Sequence, residues 1–246
     1  MAASLQIKTK FKQMKVAVIT GGSKGIGYAI AESLLKAGYH VAITSRNIAS
    51  ANEAAAKLVA HGDILAIEAD VKDYQSQQEA INLVLERWGQ IDVLIANAGI
   101  GSFANIEDLT VEDWNETIDT NLTGVFYSIK ASLAAIKKTK GYIFTISSLA
   151  GTNFFEGGSA YNASKFGLTG FTQAVMLDLR KHGIKVSTIM PGSVATYFND
   201  HQPDHEKDSW KIQPEDLGTL VVDMLNMPAR TLPSKVEIRP TTPAGS

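Results

Sequence analysis

Cysteine is absent from the 246 residues of this chain, so it can form neither disulfide bonds nor zinc or iron–sulfur sites with cysteine ligands. The chain also lacks an excess charge of one sign, because 23 basic residues are balanced by 25 acidic ones. The net charge of −2 gives no general attraction to nucleic acid or to an anionic membrane surface. No uninterrupted apolar run reaches the ~18 residues that a membrane span requires, and residues 1–15 lack the apolar stretch of a signal peptide. We therefore expect a cytoplasmic protein without a nucleic-acid or membrane partner.

Strand-like and helical patterns alternate along the chain. Seven short apolar runs predict strands at 15–20, 40–45, 64–69, 91–97, 141–147, 184–190 and 235–239. Several of them lack clean alternation, which is typical of strands covered on both faces. Helical spacing occurs between them, at about 26–37, 49–60, 74–88, 111–137, 160–182 and 214–226. This order predicts an α/β fold, a Rossmann-type doubly wound parallel sheet of about seven strands with helices on both faces.

One region differs from the rest of the chain in composition. Residues 193–213 are polar, lean acidic and are weakly periodic, whereas no linker or repeat divides the remainder, so we expect residues 1–246 to form a single domain. A long insertion between a strand and a helix often covers a site, and we expect a substrate lid at about 193–213. His201 and His205 lie four residues apart in it, but Pro203 disfavours a regular helical pair of metal ligands. A solvated acidic lid without a metal is the better interpretation.

The first motif, TGGSKGIG at 20–27, follows the first predicted strand and opens the first helix. This is the context of a dinucleotide-binding fingerprint, in which an ordinary glycine-rich turn is the weaker alternative. Gly21 would permit the tight turn, Gly25 the approach of backbone to a pyrophosphate, and Gly27 the close packing of helix on sheet. The free N–H groups at the start of the helix would face the phosphates. The same loop supplies further candidate cofactor contacts: Ser23, Lys24 and Ile26.

The end of the second strand indicates which nicotinamide cofactor is used. Enzymes that use NAD place an acidic residue there to bind the ribose 2′-hydroxyl, but this strand ends in Thr44-Ser45-Arg46-Asn47. Arg46 can bind a 2′-phosphate through two hydrogen bonds and stack on adenine, and Ser45 can donate a further hydrogen bond. Lys24 adds a second cation on the same side. The sequence therefore favours NADP(H), although a solvated arginine at a strand end is the simpler alternative.

The third motif is the sequence YNASK, from Tyr161 to Lys165. On a helix these two residues share a face, so the ammonium group can lie near the phenol and lower its pKa. Ser148 follows the apolar strand 141–147, and Asn97, Ala98 and Gly99 follow strand 91–97. Because the carboxyl ends of parallel strands form the site in such sheets, these residues are expected to meet the Tyr161–Lys165 pair.

Taken together, the motifs resemble those of the short-chain dehydrogenase/reductase family, in its single-domain branch, over nearly all of residues 16–239. The resemblance rests on one ordered set: TGGSKGIG, Asp70, the sequence NAG at 97–99, Asn121, Ser148, YNASK and Pro191-Gly192. It implies a catalytic tetrad of Asn121, Ser148, Tyr161 and Lys165. It further implies that Asp70 and Val71 contact adenine, and that Pro191, Gly192, Val194 and Thr196 border the nicotinamide.

The family resemblance implies an NADP(H)-dependent enzyme that reduces a small ketone or aldehyde, or oxidises the matching alcohol. Ser148 and Tyr161 would hold the substrate oxygen, Tyr161 would exchange the proton, and Asn121 would hold a water that connects Lys165 to solvent. Phe154 and Phe155 follow Ser148 and are expected to line an apolar substrate pocket. Other aromatic residues flank the site and would either line the pocket or pack the lid: Phe103, Tyr197, Phe198 and Trp210. Family members commonly form homodimers or homotetramers, here through helices 111–137 and 160–182.

Three other functions remain open from the sequence. A 3-oxoacyl-carrier-protein reductase would share the motifs, but the ending KVEIRPTTP lacks the glycine-rich signature of that group. A nucleotide-sugar epimerase also has the Y-x-x-x-K pair, but its glycine loop is spaced differently and its carboxyl-terminal region is larger. A non-enzymatic NADP(H)-sensing protein should lack a catalytic residue, whereas all four are present.

Overall fold

The computed structural model describes residues 14–242 of the chain. The two ends of the predicted domain, residues 1–13 and 243–246, lie outside that range, and with them most of the segment 1–15. No helix in the described part combines the length and the apolar character that crossing a bilayer demands.

The strands are β1 (Val16–Thr20), β2 (His40–Ser45), β3 (Ile64–Glu68), β4 (Val93–Ala96), β5 (Tyr142–Ile146), β6 (Lys185–Pro191) and β7 (Lys235–Ile238). The helices are α1 (Gly25–Lys36), α2 (Ile48–Leu58), α3 (Tyr74–Trp88), α4 (Val111–Ile118), α5 (Gly124–Thr139), α6 (Ser159–Leu179) and α7 (Pro214–Asn226).

All seven strands join one parallel sheet in the order β3-β2-β1-β4-β5-β6-β7. The predicted fold class, a Rossmann-type α/β sheet with helices on both faces, is confirmed. The direction in which strands are added reverses between β1 and β4, where a crevice opens at the carboxyl ends of the strands.

Each face of the sheet carries its own apolar core. Along β1, Val16 and Val18 pack with α3, α5 and α6, whereas Ala17 and Ile19 pack with α1, α2 and α7. Successive side chains of a strand point to opposite faces, so a strand covered on both sides needs apolar residues at every position. This explains why the strand segments read as continuous apolar runs.

The predicted helix at 111–137 is in fact two helices. A π-helical turn at Asp119–Thr123 separates α4 from α5, and the fully buried side chain of Asn121 lies in it. The Asn121 amide donates to the carbonyl of Ile100 (2.9 Å) and to the hydroxyl of Ser164 (3.0 Å), and its oxygen accepts from the Ile100 N–H (2.8 Å). A π turn inserts one extra residue and is often found at functional sites. The apolar spacing continues through it, so the pattern did not reveal it.

Residues 193–213 form a segment after β6 whose two ends meet each other. Val194 and Ile212 form a short parallel bridge, with hydrogen bonds from Ala195 N–H to the Ile212 carbonyl and from Ile212 N–H to the Ser193 carbonyl. The expectation that the acidic residues of this segment are all solvated is wrong for Asp208, which is 4% exposed. Its carboxylate binds His201 Nε2 (2.6 Å), Lys211 Nζ (2.7 Å) and the Asp204 N–H (3.1 Å). Buried charges are retained where they are paired in this way.

Candidate active site

The glycine turn between β1 and α1 depends on backbone conformations that favour glycine. Gly21 and Gly25 have φ angles of +65° and +58°. A Cβ atom on Gly27 would lie 2.5 Å from both the Gly21 carbonyl oxygen and the amide nitrogen of Asn97. No side chain can occupy that space, so α1 approaches the end of the sheet more closely than any other residue at position 27 would allow.

The end of β4 is tied to this turn by hydrogen bonds. The Thr20 hydroxyl accepts from the N–H groups of Asn97 and Ala98, and the Asn97 amide donates to the carbonyls of Thr20 and Gly21. The Asn97 amide therefore fixes the geometry of the turn. Gly99 lies deeper, where a Cβ atom would come within 3.2 Å of Asn121 Oδ1 and 3.6 Å of Lys165 Nζ.

A cleft of about 1480 Å³ runs along the carboxyl ends of the strands, from the glycine turn to residues 193–213. Most of the predicted cofactor-binding and catalytic residues line it: Gly21, Ser23, Lys24, Gly25, Ile26, Ser45, Arg46, Val71, Asn97, Ala98, Gly99, Ser148, Tyr161, Lys165, Gly192, Val194 and Thr196. Phe155 lines it as well. The structure thus brings to one surface residues that are up to 175 positions apart in the chain, 21 to 196.

Five of the predicted residues do not line the cleft. Gly27 and Asn121 lie behind its wall, in the contacts described above. The Asp70 carboxylate accepts from the Lys72 N–H (2.9 Å), and the Pro191 carbonyl lies 3.5 Å from Ser148 Oγ. Phe154 is 85% exposed outside the cleft, so the expectation that it lines the substrate pocket is corrected. Neighbouring residues in an extended turn point to different sides, and here Phe155 takes the inner position.

Tyr161 and Lys165 lie one turn apart on α6, and both are buried. Lys165 Nζ donates to the Ile146 carbonyl at the end of β5 (3.0 Å) and lies 5.6 Å from the centroid of the Tyr161 ring. Ser148 follows the same strand, and its hydroxyl accepts from the Ala150 N–H (3.1 Å). The carboxyl end of β5 therefore positions both the amine and the serine beside the phenol.

The electrostatics differ from the sequence-based expectation. Burial raises the pKa of Tyr161 to about 12, although hydrogen bonding to Ser148 opposes the rise. Burial also lowers the pKa of Lys165, to about 8. The expected lowering of the phenol pKa by Lys165 is absent in this geometry, because the amine lies over the ring and loss of hydration dominates the pKa of both groups. At neutral pH the tyrosine is a protonated donor.

Two buried hydroxyls on the cleft wall support binding of a polar ligand. Within residues 14–242, Thr44 Oγ1 and Thr120 Oγ1 are buried without a hydrogen-bond partner, and both residues line the cleft. Buried polar groups normally have partners. A dinucleotide rich in hydroxyl and phosphate oxygens fits these groups, the glycine turn and the free N–H groups at the start of α1.

A smaller cavity of about 440 Å³ adjoins the cleft at the ends of β2 and α1. Ser23, Lys24, Ser45 and Arg46 line both cavities, which brings the two predicted cations together. Lys57 on α2 also lines the smaller cavity. Sequence reasoning missed Lys57 because helical spacing with Glu53 reads as a solvated ion pair, and the two do form one (2.7 Å).

Arg46 does not stand free at the end of β2. Its guanidinium pairs with the carboxylate of Glu116 on α4 (3.2 Å), which also binds Lys72. Glu116 is 70 residues away in the chain, and no local pattern marks it as a partner of Arg46. A carboxylate therefore occupies one face of the cation that was predicted to bind a 2′-phosphate.

Further residues line the cleft besides the predicted site residues. They comprise aromatic residues and three basic ones: Phe103, Tyr197, Phe198, Trp210, His201, Lys211 and Arg239. The aromatic residues were noted from the sequence without a decision between pocket and packing. Arg239 was missed because it follows the last strand with no motif around it. In the described part of the chain no three potential metal ligands cluster together.

The chain belongs to the short-chain dehydrogenase/reductase family, since residues 15–207 match the family described as short chain dehydrogenase. It is 34% identical to a sepiapterin reductase of Chlorobaculum tepidum over 92% of this chain and 96% of that protein. It is 36% identical to a 3-oxoacyl-[acyl-carrier-protein] reductase of Synechocystis over 76% of this chain and 77% of that protein. An alcohol dehydrogenase from the archaeon Thermococcus sibiricus, solved with 5-hydroxy-NADP, superimposes with a TM-score of 0.88 at 31% identity, covering 93% of this chain and 97% of that one. The predicted family and the predicted oxidoreductase class are confirmed.

The buried amine gives the protein a pH dependence that can be measured. The folded state holds the Lys165 proton less tightly, with a pKa of about 8, than the unfolded chain, in which lysine titrates near 10.4. Unfolding therefore takes up a proton between these values, and the free energy of unfolding should rise with pH in that window. Between pH 8 and 10, in protein freed of dinucleotide, we expect it to rise by about 1 kcal/mol per pH unit more in the wild type than in Lys165→Met. Urea unfolding at pH 8, 9 and 10 measures this, and parallel pH curves for the two proteins would contradict it.

Proposed function

We propose that this NADP(H)-dependent oxidoreductase transfers a hydride between NADPH and the carbonyl of a small ketone or aldehyde, or in reverse from the matching secondary alcohol. The observation that carries the proposal is the convergence of Ser148, Tyr161 and Lys165 in the cleft that begins at the glycine turn. A hydroxyl, a protonated phenol and an amine in one buried place form an arrangement suited to acid–base chemistry at a carbonyl oxygen.

Each of these residues has a distinct task in the proposed reaction. When bound, the nicotinamide supplies the hydride. Ser148 and Tyr161 hold the substrate oxygen by hydrogen bonds, and the phenol, protonated at neutral pH, gives its proton to the developing alkoxide. Lys165 binds the nicotinamide ribose, which places its ammonium where charge develops. Asn121 holds the backbone of Ile100 behind this group, and we retain the prediction that it helps to hold a water leading from Lys165 to solvent.

The preference for NADP(H) over NAD(H) is assigned to the small cavity at the end of β2. Ser45 and Arg46 take the place where an acidic residue would bind a ribose 2′-hydroxyl, and Lys24 and Lys57 line the same cavity. A 2′-phosphate carries nearly two negative charges and matches this set of cations. Asp70 and Val71 are proposed to border the adenine.

The remaining parts of the proposal concern the surroundings of the site. Residues 193–213 are proposed to act as the substrate lid over a single domain. A homodimer or homotetramer is proposed through α5 and α6, which expose Phe126, Phe166 and Leu177. A cytoplasmic location stays a prediction.

A 3-oxoacyl-carrier-protein reductase is the second candidate, favoured by the relative from Synechocystis. The two functions are separated by monitoring NADPH and NADH oxidation with a panel of aldehydes, diketones, 3-oxoesters, 3-oxoacyl thioesters and pterins. Reduction of small carbonyls with NADPH supports the proposal, whereas activity confined to 3-oxoacyl thioesters supports the alternative. If NADPH binds but no carbonyl is reduced, a dinucleotide-sensing protein becomes the better interpretation.

Tyr161→Phe should lower kcat by about 10²–10⁴-fold, because a positioned general acid contributes about that factor. The dissociation constant of NADPH should change little, since only the hydroxyl is removed. Tyr197→Phe is the matched control, because Tyr197 also lines the cleft and loses the same atom. Stopped-flow reduction and NADPH fluorescence titration measure the two quantities. A Tyr161→Phe enzyme with appreciable turnover would exclude Tyr161 as the proton donor.

Arg46→Asp should reverse the cofactor preference. The new carboxylate repels a 2′-phosphate and can accept a hydrogen bond from a 2′-hydroxyl. We expect the ratio of kcat/KM for NADPH to that for NADH to fall by at least about tenfold, the equivalent of about 1.4 kcal/mol. An unchanged ratio would show that Arg46 does not distinguish a 2′-phosphate from a 2′-hydroxyl.

Glu116→Gln should tighten NADPH binding, because the carboxylate competes with the 2′-phosphate for Arg46. Exposed ion pairs are worth about 0–1 kcal/mol, so the dissociation constant should fall by about twofold to fivefold, with a smaller change for NADH. Glu112→Gln, on the same helix, serves as the control. Fluorescence titration measures the dissociation constant of NADPH for each variant. Weaker binding in Glu116→Gln than in the wild type would mean that Glu116 instead holds Arg46 in its binding position.

A further inference from the structure

Two phenyl rings contact the ring of Tyr161, and a third contacts one of those two. They come from three separate segments: Phe103 after β4, Phe155 between β5 and α6, and Phe198 within residues 193–213. We call these three residues the phenyl collar. All three line the cleft, and they are 39%, 48% and 37% exposed, respectively. Large apolar side chains that stay this accessible inside a cleft mark a place where an apolar ligand is bound.

The collar is an ordered arrangement centred on Phe103. The centroid of the Phe103 ring lies 5.3 Å from that of Tyr161, 5.7 Å from that of Phe155 and 6.3 Å from that of Phe198. The Tyr161 and Phe198 centroids are 5.6 Å apart. Interplanar angles of 55–70° give edge-to-face and tilted contacts, the arrangements that the charge distribution of aromatic rings favours.

The chain provides room for these rings at two glycines. A Cβ atom on Gly101 would lie 2.6 Å from the ring of Phe198, and one on Gly158 would lie 2.6 Å from the ring of Phe155. Any larger residue at either position would push a ring of the collar out of place. The positions of Phe198 and Phe155 in the collar therefore depend on glycine at positions 101 and 158, in two separate loops.

The basic residues nearby each have an acidic partner. Lys211 and His201 bind the carboxylate of Asp208, and Arg239 pairs with Glu237 (3.3 Å). Each of these carboxylates pairs with two basic residues, since Glu237 also binds Lys235 (3.5 Å), so the ion pairs reduce the positive charge on this side of the cleft without removing it. The apolar rings in contact with the Tyr161 ring are the feature that would distinguish one uncharged carbonyl compound from another.

We propose that the phenyl collar binds an aromatic ring attached directly to the carbonyl carbon, so that the substrate class is aryl ketones and aryl aldehydes. This inference rests on the proposed function. A flat ring can contact the three phenyl rings edge to face while its carbonyl oxygen reaches Ser148 and Tyr161. Reduction of an aryl ketone takes one hydride from NADPH and one proton from Tyr161, and yields a 1-arylalcohol and NADP⁺.

Acetophenone and cyclohexyl methyl ketone form a matched pair for the test, because they share a carbon skeleton and differ in the aromaticity of the ring. Their kcat/KM values are measured with NADPH in the wild type, Phe103→Leu and Phe198→Leu. Leucine keeps an apolar side chain and removes the aromatic ring. Phe154→Leu is the control, because Phe154 lies beside the collar residue Phe155 but outside the cleft. NADPH affinity and melting temperature are measured on each variant to establish that it is folded.

In the wild type we expect KM for acetophenone to be about tenfold below that for cyclohexyl methyl ketone. The acetophenone-to-cyclohexyl ratio of kcat/KM should fall about fivefold in Phe103→Leu and in Phe198→Leu, and should be unchanged in Phe154→Leu. Intrinsic reactivities cancel in this comparison, because the same two ketones are used throughout.

The outcomes separate this inference from the proposed function. If both ketones are reduced and the ratio is the same in wild type and collar variants, carbonyl reduction stands and the aryl selectivity is overturned. Equal KM values for the two ketones in the wild type would also overturn it. If the wild type reduces neither of these ketones nor any member of the carbonyl panel, both proposals fail together.

Discussion

The burial of one amine sets the electrostatics of the candidate site. Lys165 lies in the interior with the Ile146 carbonyl as its hydrogen-bond acceptor among the described residues. Loss of hydration lowers its pKa to about 8 and raises that of the neighbouring Tyr161 to about 12. Such burial costs stability, and ionisable groups buried at that cost are typical of functional sites. The low polarity of these surroundings disfavours charge on Lys165 and Tyr161 in the free site. It would also strengthen the electrostatic interactions of a bound dinucleotide and substrate with these two groups.

The parallel sheet brings the other residues of the candidate site next to the Tyr161–Lys165 pair. Because all strands are parallel, their carboxyl ends lie at one edge. The residues that follow β1, β4, β5 and β6 therefore lie close together in the fold, although no local sequence pattern predicts contacts between them. The π turn that carries Asn121 fastens the loop after β4 to α6 through Ile100 and Ser164, so the position of the Tyr161–Lys165 pair is coupled to the wall of the cleft opposite it.

Periodicity and motif order predicted the strands and most of the helices, and together with the family resemblance they predicted about half of the residues that line the cleft. These features depend on local pattern or on the end of a strand. Other features arise only in the folded chain. The π turn continues an apolar pattern that also suits an α-helix, and the Arg46–Glu116 pair joins residues 70 positions apart. Phe154 and Phe155 are equivalent as sequence, and only the path of the backbone places one inside the cleft. The pKa values of Tyr161 and Lys165 depend on burial, which spacing on a helix does not report.

The bridge between Val194 and Ile212 makes the length of the segment between them easy to change. Both ends of the segment are anchored at one point of the framework, so its length can change at a small entropic cost and without disturbing strand register. Phe198, His201 and Lys211 all lie in this segment, whereas Tyr161, the proposed proton donor, lies on α6. Changes in length or sequence after Thr196 would therefore alter the wall of the cleft around Tyr161 and leave α6 in place.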